Sequence, residues 1–496
     1  MLYYLINSFK SNKGARPSLE PPDHQDISTS EKWLAHKIHQ ATTTTIVLNS
    51  KTATTTVVDD LNPSLTNLRT VVQNDPQLTT LADQMFIQAA ALQPRDPTEQ
   101  PAVQSFRQFL QVVNVIMRSG PQFFDRPGNE DAMGFVAAPI NALLNYPMGT
   151  AAGYEFFRRR DVNAAMGEVL SAWGRFLASK DSRGCLRAWV SASGQVVMAE
   201  RANGRVGEGD GEGGSGLGFK ELFVCPDPED KETLGYESWD AFFVRRFREG
   251  VRSVEFPDDE EHHGREKLSV RSSSGTVDIQ VDDNTSVIVN ACESAPLQVV
   301  ANLALCADVT LKGQPYSLTD MLNDNPLATQ FAGGTIYQAY LSAFSYHRWH
   351  APLSGRIIEV EMIPGTYFSM NRYQGLAARG NDNDDTNGPD PQAPCRSQAY
   401  TASVATRAVV YIQARNPRIG LMAIVFVGMT EVSSCEVTVR AGEEVVKGQE
   451  IGMFHFGGSS HCLVFRPGVE LRFVENRFPA GLEGNNRVNS ALAVVE

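Results

Sequence analysis

The sequence predicts an α+β protein in which an N-terminal helical domain precedes a β-rich domain. Three observations carry this. Apolar residues recur at helical spacing in the first part of the chain, strand-length apolar and β-branched runs replace them after about residue 219, and a Gly-rich acidic stretch lies between. At 496 residues the chain is long enough for two or three domains and a large core.

In chain order, Met1–Ile6 is apolar but gives way to Asn7, Ser8 and Lys10. It is too short for a secretion-signal core and has no basic leader, so a frayed or docked terminus is expected. Residues 11–30 are polar and rich in Pro, Ser and Asp, which makes 1–30 a flexible N-terminus. Residues 40–58 are Thr-rich and read as a loop or weak strand.

Residues 31–200 read as a helical accessory domain. Phe106, Phe109, Leu110, Val113, Ile116 and Met117 fall on one helical face, with Gly120 as a stop. Val162, Met166, Val169, Leu170, Trp173, Phe176 and Leu177 define a second helix, with Asp161 as its expected cap. Residues 201–218 are the Gly-rich linker. Residues 219–496 form the β-rich domain. Val287–Val289, Arg407–Ile412 and Leu421–Val427 read as strands, the last two joined into a hairpin by the turn Ala414–Gly420. Val445–Gly452 has the strand–turn–strand pattern of a small barrel, and the acidic segment Gly380–Pro394 is long for a structureless connection.

Composition narrows the function. A net charge of −13 argues against a nucleic-acid partner, because phosphate binding needs a basic face. No apolar run approaches the roughly 20 residues that span a bilayer. Seven cysteines without a C-x-x-C pair suit reduced thiols in the cytoplasm and offer no zinc or disulfide framework.

Two motif matches are weak. Gly209-x-Gly211-x-x-Gly214 fits a dinucleotide fingerprint, but Asp210 and Glu212 would repel a pyrophosphate and no apolar strand leads into it. Asn383-x-Asp385-x-Asn387-Gly388 begins like a calcium loop but carries Pro394 where a bidentate Glu is required. His262 and His263 follow an acidic run and read as a solvated turn, so no metal site is expected.

His347 and His350 differ from these. Pro352 and Gly355 suggest an extended segment, in which histidines three apart point to opposite faces. That leaves two separate roles or two structural ones. Gly458-Ser459 reads either as a tight turn or as a self-cleavage site, since a serine can attack the carbonyl before it when a base is near.

Tyr346-His347-Arg348-Trp349-His350-Ala351-Pro352 resembles the Tyr-His-Arg-x-His-x-Pro motif of the phosphatidylserine decarboxylase family. Met453–Ser460 resembles that family's Gly-Ser cleavage site after an aromatic strand. Asp240–Phe247, Lys312-Gly313, Phe331–Gly334 and Pro364–Thr366 follow in the family's order, across about residues 235–490. Ser179–Arg183, Ala291–Ser294 and Gly428–Glu431 are similar to a soluble fungal branch with an added helical region, which includes tryptophan decarboxylases.

The resemblance implies that 219–496 is a decarboxylase domain cleaved between Gly458 and Ser459, with Ser459 becoming a covalent pyruvoyl cofactor and the two fragments staying associated. It implies that His350 activates Ser459 for cleavage. Glu293 matches the Asp that orients this histidine and is one methylene longer. His347 matches a histidine of the decarboxylation step. The pyruvoyl carbonyl would take the substrate amine as a Schiff base and accept the electrons released with carbon dioxide. The implied partner is a small-molecule substrate, an aromatic L-amino acid with tryptophan foremost. The alternatives are phosphatidylserine decarboxylation by a peripheral enzyme and an uncleaved, non-catalytic binding protein.

Overall fold

The computed structural model describes residues 37, 40–41, 60–92, 103–123, 135–136, 138–203, 216–258, 267–272, 275–308, 316–371, 397–431, 434–456, 459–477 and 485–496. The expected flexible terminus 1–30, nearly all of the Thr-rich stretch, most of the 201–218 linker with its Gly209 motif, His262, His263, Lys312-Gly313, the Gly380–Pro394 segment and Gly458 lie outside the described residues.

The chain divides into two compact units. One comprises Met1–Ser191, Lys231–Asp240 and Gly365–Thr401. Its helices form where the periodicity puts them. In Phe106–Ile116 the residues Phe106, Phe109, Leu110, Val113 and Ile116 are buried, and Ser105 Oγ caps the start by accepting the Gln108 N–H at 3.2 Å. Val112 is buried as well, so the covered face is wider than the spacing predicts.

In Arg160–Ala178 the residues Val162, Met166, Val169, Leu170, Trp173 and Leu177 are buried and Phe176 is half-buried. Asp161 is not the cap. Arg159 holds that position, and Asp161 lies in the first turn, paired with the Arg159 guanidinium at 2.7 Å. A carboxylate there opposes the positive end of the helix dipole without capping an N–H from outside. The helix packs against Pro63–Gln73, and Trp173 Nε1 donates to the Ser119 carbonyl at 2.9 Å. A short ladder pairs β1 (Gln122–Phe123) with β2 (Phe135–Val136).

The second unit comprises Ala192–Asp230, Ala241–Pro364 and Ala402–Glu496. Its strands are β3 (Lys267–Ser272), β4 (Gly275–Gln280), β5 (Val287–Val289), β6 (Ala295–Ala301), β7 (Thr335–Leu341), β8 (Arg348–His350), β9 (Gly355–Ile363), β10 (Arg407–Ala414), β11 (Leu421–Gly428), β12 (Ser434–Val437), β13 (Glu444–Val445), β14 (Glu450–His455), β15 (Ser459–Phe465), β16 (Leu471–Phe473) and β17 (Ala491–Val495). Seven of them form one antiparallel sheet in the order β13-β9-β10-β11-β15-β7-β6. Two three-stranded sheets, β12-β14-β8 and β16-β17-β5, accompany it, and β3 pairs with β4.

The expected β10–β11 hairpin forms, with Arg407 opposite Val427 and Gln413 opposite Leu421. Every residue of β11 is buried, which explains why its sequence is continuously apolar and does not alternate. Gly420 closes the turn at φ +63°, where a Cβ would collide with the Arg466 guanidinium. The Val445–Gly452 pattern has a different outcome. β13 joins β9 and β14 joins β12 and β8, so the two strands flanking that turn enter separate sheets. One core cluster runs between these sheets, through Ile357, Val410, Ile424, Leu463 and Trp349.

Candidate active site

Ser459 is the first residue of β15, and β15 lies inside the large sheet. Register sets Ser459 opposite Gly428 on β11 and Leu341 on β7, and the side chain is 1% exposed. Side chains alternate along a strand, so Ser459 and His461 share the face that continues through Leu463 and Phe465 into the core. Across from His461 stand Phe426 and Ala339. Trp349 stacks on Phe426 with ring centroids 3.8 Å apart and planes 6° apart, and Phe454 meets Trp349 edge-on at 4.6 Å.

His347 belongs to this region. It lies two residues before Trp349, and its carbonyl accepts the Phe454 N–H at 3.0 Å, which continues the β8–β14 pairing. Its ring stacks on Phe243 at 4.2 Å, and Phe243 in turn meets Phe456 at 6.0 Å. Nε2 lies 3.0 Å from the carbonyl of Ser342, the neighbour of Leu341. A carbonyl only accepts, so Nε2 carries the proton and Nδ1 presents a lone pair. Burial, with the Arg245 guanidinium adding to it, pulls the ring's pKa down to about 3. Arg245 also fixes the approach to His347, donating to the carbonyls of Phe344 at 2.7 Å and Ser345 at 3.2 Å.

His350 has a different set of partners. Its Nδ1 donates to the Gly448 carbonyl at 2.7 Å, and Nε2 sits 3.0 Å from the Tyr346 hydroxyl, so both nitrogens are satisfied in a neutral ring. Burial lowers its pKa, and the Gly448 carbonyl opposes that shift. Glu293 is fully buried and bound elsewhere: Arg252 Nη2 reaches one oxygen at 2.6 Å, and the other accepts Arg252 Nε at 3.2 Å and the Val488 N–H at 2.7 Å. The carboxylate and the His350 ring are not hydrogen-bonded to each other. Their segments meet through the backbone, where His350 N–H donates to the Ala291 carbonyl at 2.9 Å.

The structure thus places Ser459 at the head of β15, sets the His347 ring between Phe243 and the Ser342 carbonyl, and holds His350 and Glu293 in separate hydrogen-bonded sets. It adds His461, which sequence reasoning did not single out. The signal was the period of two, since a histidine two places after the serine in a strand must share its face.

Five buried polar atoms on four side chains here have no hydrogen-bond partner among the described residues: Ser459 Oγ, His347 Nδ1, both His461 nitrogens and Trp349 Nε1. Leaving such an atom unsatisfied costs about 1–3 kcal/mol, so each needs a reason beyond packing. Backbone strain coincides with it. Phe456 and the β-branched Thr430 adopt φ of +61° and +56°, close in sequence to Ser459 and to its partner Gly428. The donor set fits a group made from Ser459 itself, because the hydroxyl is buried with no competing hydrogen bond among the described residues.

Similarity to known proteins agrees with this geometry. A family model described as phosphatidylserine decarboxylase matches residues 239–483, and a second model of the same description matches 62–198. Decarboxylase iboD of Amanita muscaria is 41% identical over 377 residues, covering 75% of this chain and 95% of that protein. An L-tryptophan decarboxylase of Psilocybe cubensis is 32% identical over 406 residues, covering 80% of each. Phosphatidylserine decarboxylase proenzyme 3 of Schizosaccharomyces pombe is 25% identical over 242 residues, 48% of this chain and 20% of that one. These likenesses, joined to a buried serine at the head of a central strand, show that the chain belongs to the phosphatidylserine decarboxylase family and is a carboxy-lyase.

Proposed function

We propose that this chain decarboxylates a free aromatic L-amino acid, tryptophan foremost, using a pyruvoyl group made from Ser459 by cleavage of the Gly458–Ser459 bond. The observation that carries the reading is the buried Ser459 hydroxyl at the start of β15, which has no hydrogen-bond partner among the described residues. Attack of Oγ on the Gly458 carbonyl exchanges the peptide bond for an ester. Elimination then releases the Gly458 carboxylate and leaves dehydroalanine, which water converts to the pyruvoyl group with loss of ammonia.

That group supplies an electron-withdrawing carbonyl that takes the substrate amine and the electrons of the breaking bond. The protein's residues do the rest. His347 Nδ1, which has no partner among the described residues, is the proton-handling atom. Phe243, Trp349, Phe426 and Phe454 exclude water and pack an aromatic side chain. His350 is the base of the cleavage step once its ring leaves Tyr346, and Glu293 positions it through the Ala291–His350 backbone contact. β15 is hydrogen-bonded between β11 and β7 along its whole length, so cutting before Ser459 leaves the C-terminal fragment held in the sheet.

Likeness to the L-tryptophan decarboxylase of Psilocybe cubensis over most of the chain supports the substrate. Phosphatidylserine is the second reading, supported by the family model and the proenzyme relative. Among the described residues no helix is long and apolar enough to cross a membrane. The test is intact mass of the purified protein followed by decarboxylation assays on tryptophan, tyrosine, phenylalanine and phosphatidylserine vesicles. A pyruvoyl-blocked fragment starting at position 459 and amine from tryptophan are expected. Activity on phosphatidylserine alone overturns the substrate, and a full-length chain in active preparations overturns the cofactor.

A further inference from the structure

We propose that His461 determines specificity: its imidazole hydrogen-bonds a polar hydrogen on the substrate's side chain, favouring aromatic amino acids that carry a ring N–H or hydroxyl. The inference rests on decarboxylation at Ser459 as proposed above.

His461 is fully buried, and neither ring nitrogen has a partner among the described residues. A neutral imidazole carries one N–H and one lone pair in either tautomer, so the ring leaves one donor and one acceptor for a ligand. Burial alone holds its pKa down at about 3, so at neutral pH it accepts a hydrogen bond and carries no charge. Its surroundings are apolar: Phe426 and Ala339 flank it across the sheet, and the Tyr337 ring centroid lies 6.1 Å away. A single polar group in such a lining sets orientation and selectivity.

Position decides what it can touch. Two residues along a strand separate Cα atoms by about 7 Å. A substrate joined at residue 459 has its amine and carboxylate at that end. β15 runs from there into the core, so the substrate's side chain, extending along the strand face, reaches His461. The small Ala339 side chain opposite adds no bulk on that path. A site with a buried hydrogen-bonding group rejects an analogue that leaves it unpaired.

The experiment compares kcat/KM for tryptophan against 1-methyltryptophan and for tyrosine against phenylalanine, in cleaved wild-type protein and in His461→Leu and His461→Gln, with cleavage of each confirmed by mass. Wild type is expected to favour the hydrogen-bonding member of each pair by about tenfold or more. His461→Leu brings both ratios toward one, and His461→Gln, which keeps a donor and an acceptor, retains part of the preference. Equal ratios in wild type overturn the proposal, even where the variants fail to fold. So does an equal fall in kcat for all four substrates, which would place His461 in the chemistry. Cleaved wild type inactive on every amino acid refutes the decarboxylation reading, a result distinct from loss of discrimination.

Discussion

Ser459→Ala removes the one atom of that residue able to attack the preceding carbonyl. It is expected to leave the full-length chain with no decarboxylation, read by intact mass and carbon dioxide release. The histidines divide the next two steps. His347 and His350 have separate hydrogen-bond partners, so each is expected to act on its own. His350→Ala is expected to stop cleavage. His347→Ala is expected to cleave but to lose about 10²–10⁴-fold in kcat, the usual worth of a positioned proton-transfer group. The reverse pattern would give the activating role to His347. That the two histidines have separate partners was legible, because an extended segment points residues three apart in different directions. His461 was equally legible, two places after Ser459, once β15 was taken as a strand from its first residue. The partner of Glu293 was not, since Arg252 lies 41 positions away and only the fold brings it within 2.6 Å.

At the scale of elements, close packing between sheets depends on residues without side chains. A Cβ on Gly452 would come within 2.5 Å of the Trp349 ring and 2.4 Å of the Glu436 carbonyl oxygen. Gly452→Ala should therefore push β14 away from β8 and β12 and lower stability by about 1–3 kcal/mol, the range for overpacking. Urea unfolding of the uncleaved Ser459→Ala background measures this, and an unchanged midpoint would show that the sheets yield freely. The strands themselves were readable from their composition, and the β10–β11 hairpin from its turn. Their partners were less so. Val445–Gly452 carries a turn between two strands, yet β13 and β14 pair with different sheets, because pairing depends on which distant edge is vacant and not on local pattern. The Asp161 cap also failed: the helix starts two residues earlier, with Arg159 in the cap position and Asp161 ion-paired to it in the first turn.

Over the whole molecule, the division into a helical and a β-rich part followed from periodicity. The return of Lys231–Asp240 and Gly365–Thr401 to the helical unit was not legible, since no local pattern records which unit a segment packs with. Burying several neutral histidines also gives the chain a pH-dependent stability. His347 and His461 are held at about 3 and His350 is lowered, in each case chiefly by burial. In the unfolded chain each returns to about 6.5. The folded values are lower, so between the two limits the unfolded state binds more protons. The contribution is complete above about pH 6.5 and is lost as pH falls toward 3. Each resistant ring costs up to about 1.4 kcal/mol per pH unit, so His347 and His461 together approach roughly 2–3 kcal/mol per unit. Carboxylates titrate mostly below this window, near 4, which leaves pH 6.5 to 5 to the histidines. Urea midpoints of the Ser459→Ala chain across that interval should fall steadily, and adding His461→Leu should flatten the slope by about one ring's share. A slope that His461→Leu leaves unchanged would mean the ring takes up its proton inside the fold, and the apolar, neutral setting assigned to His461 would be wrong.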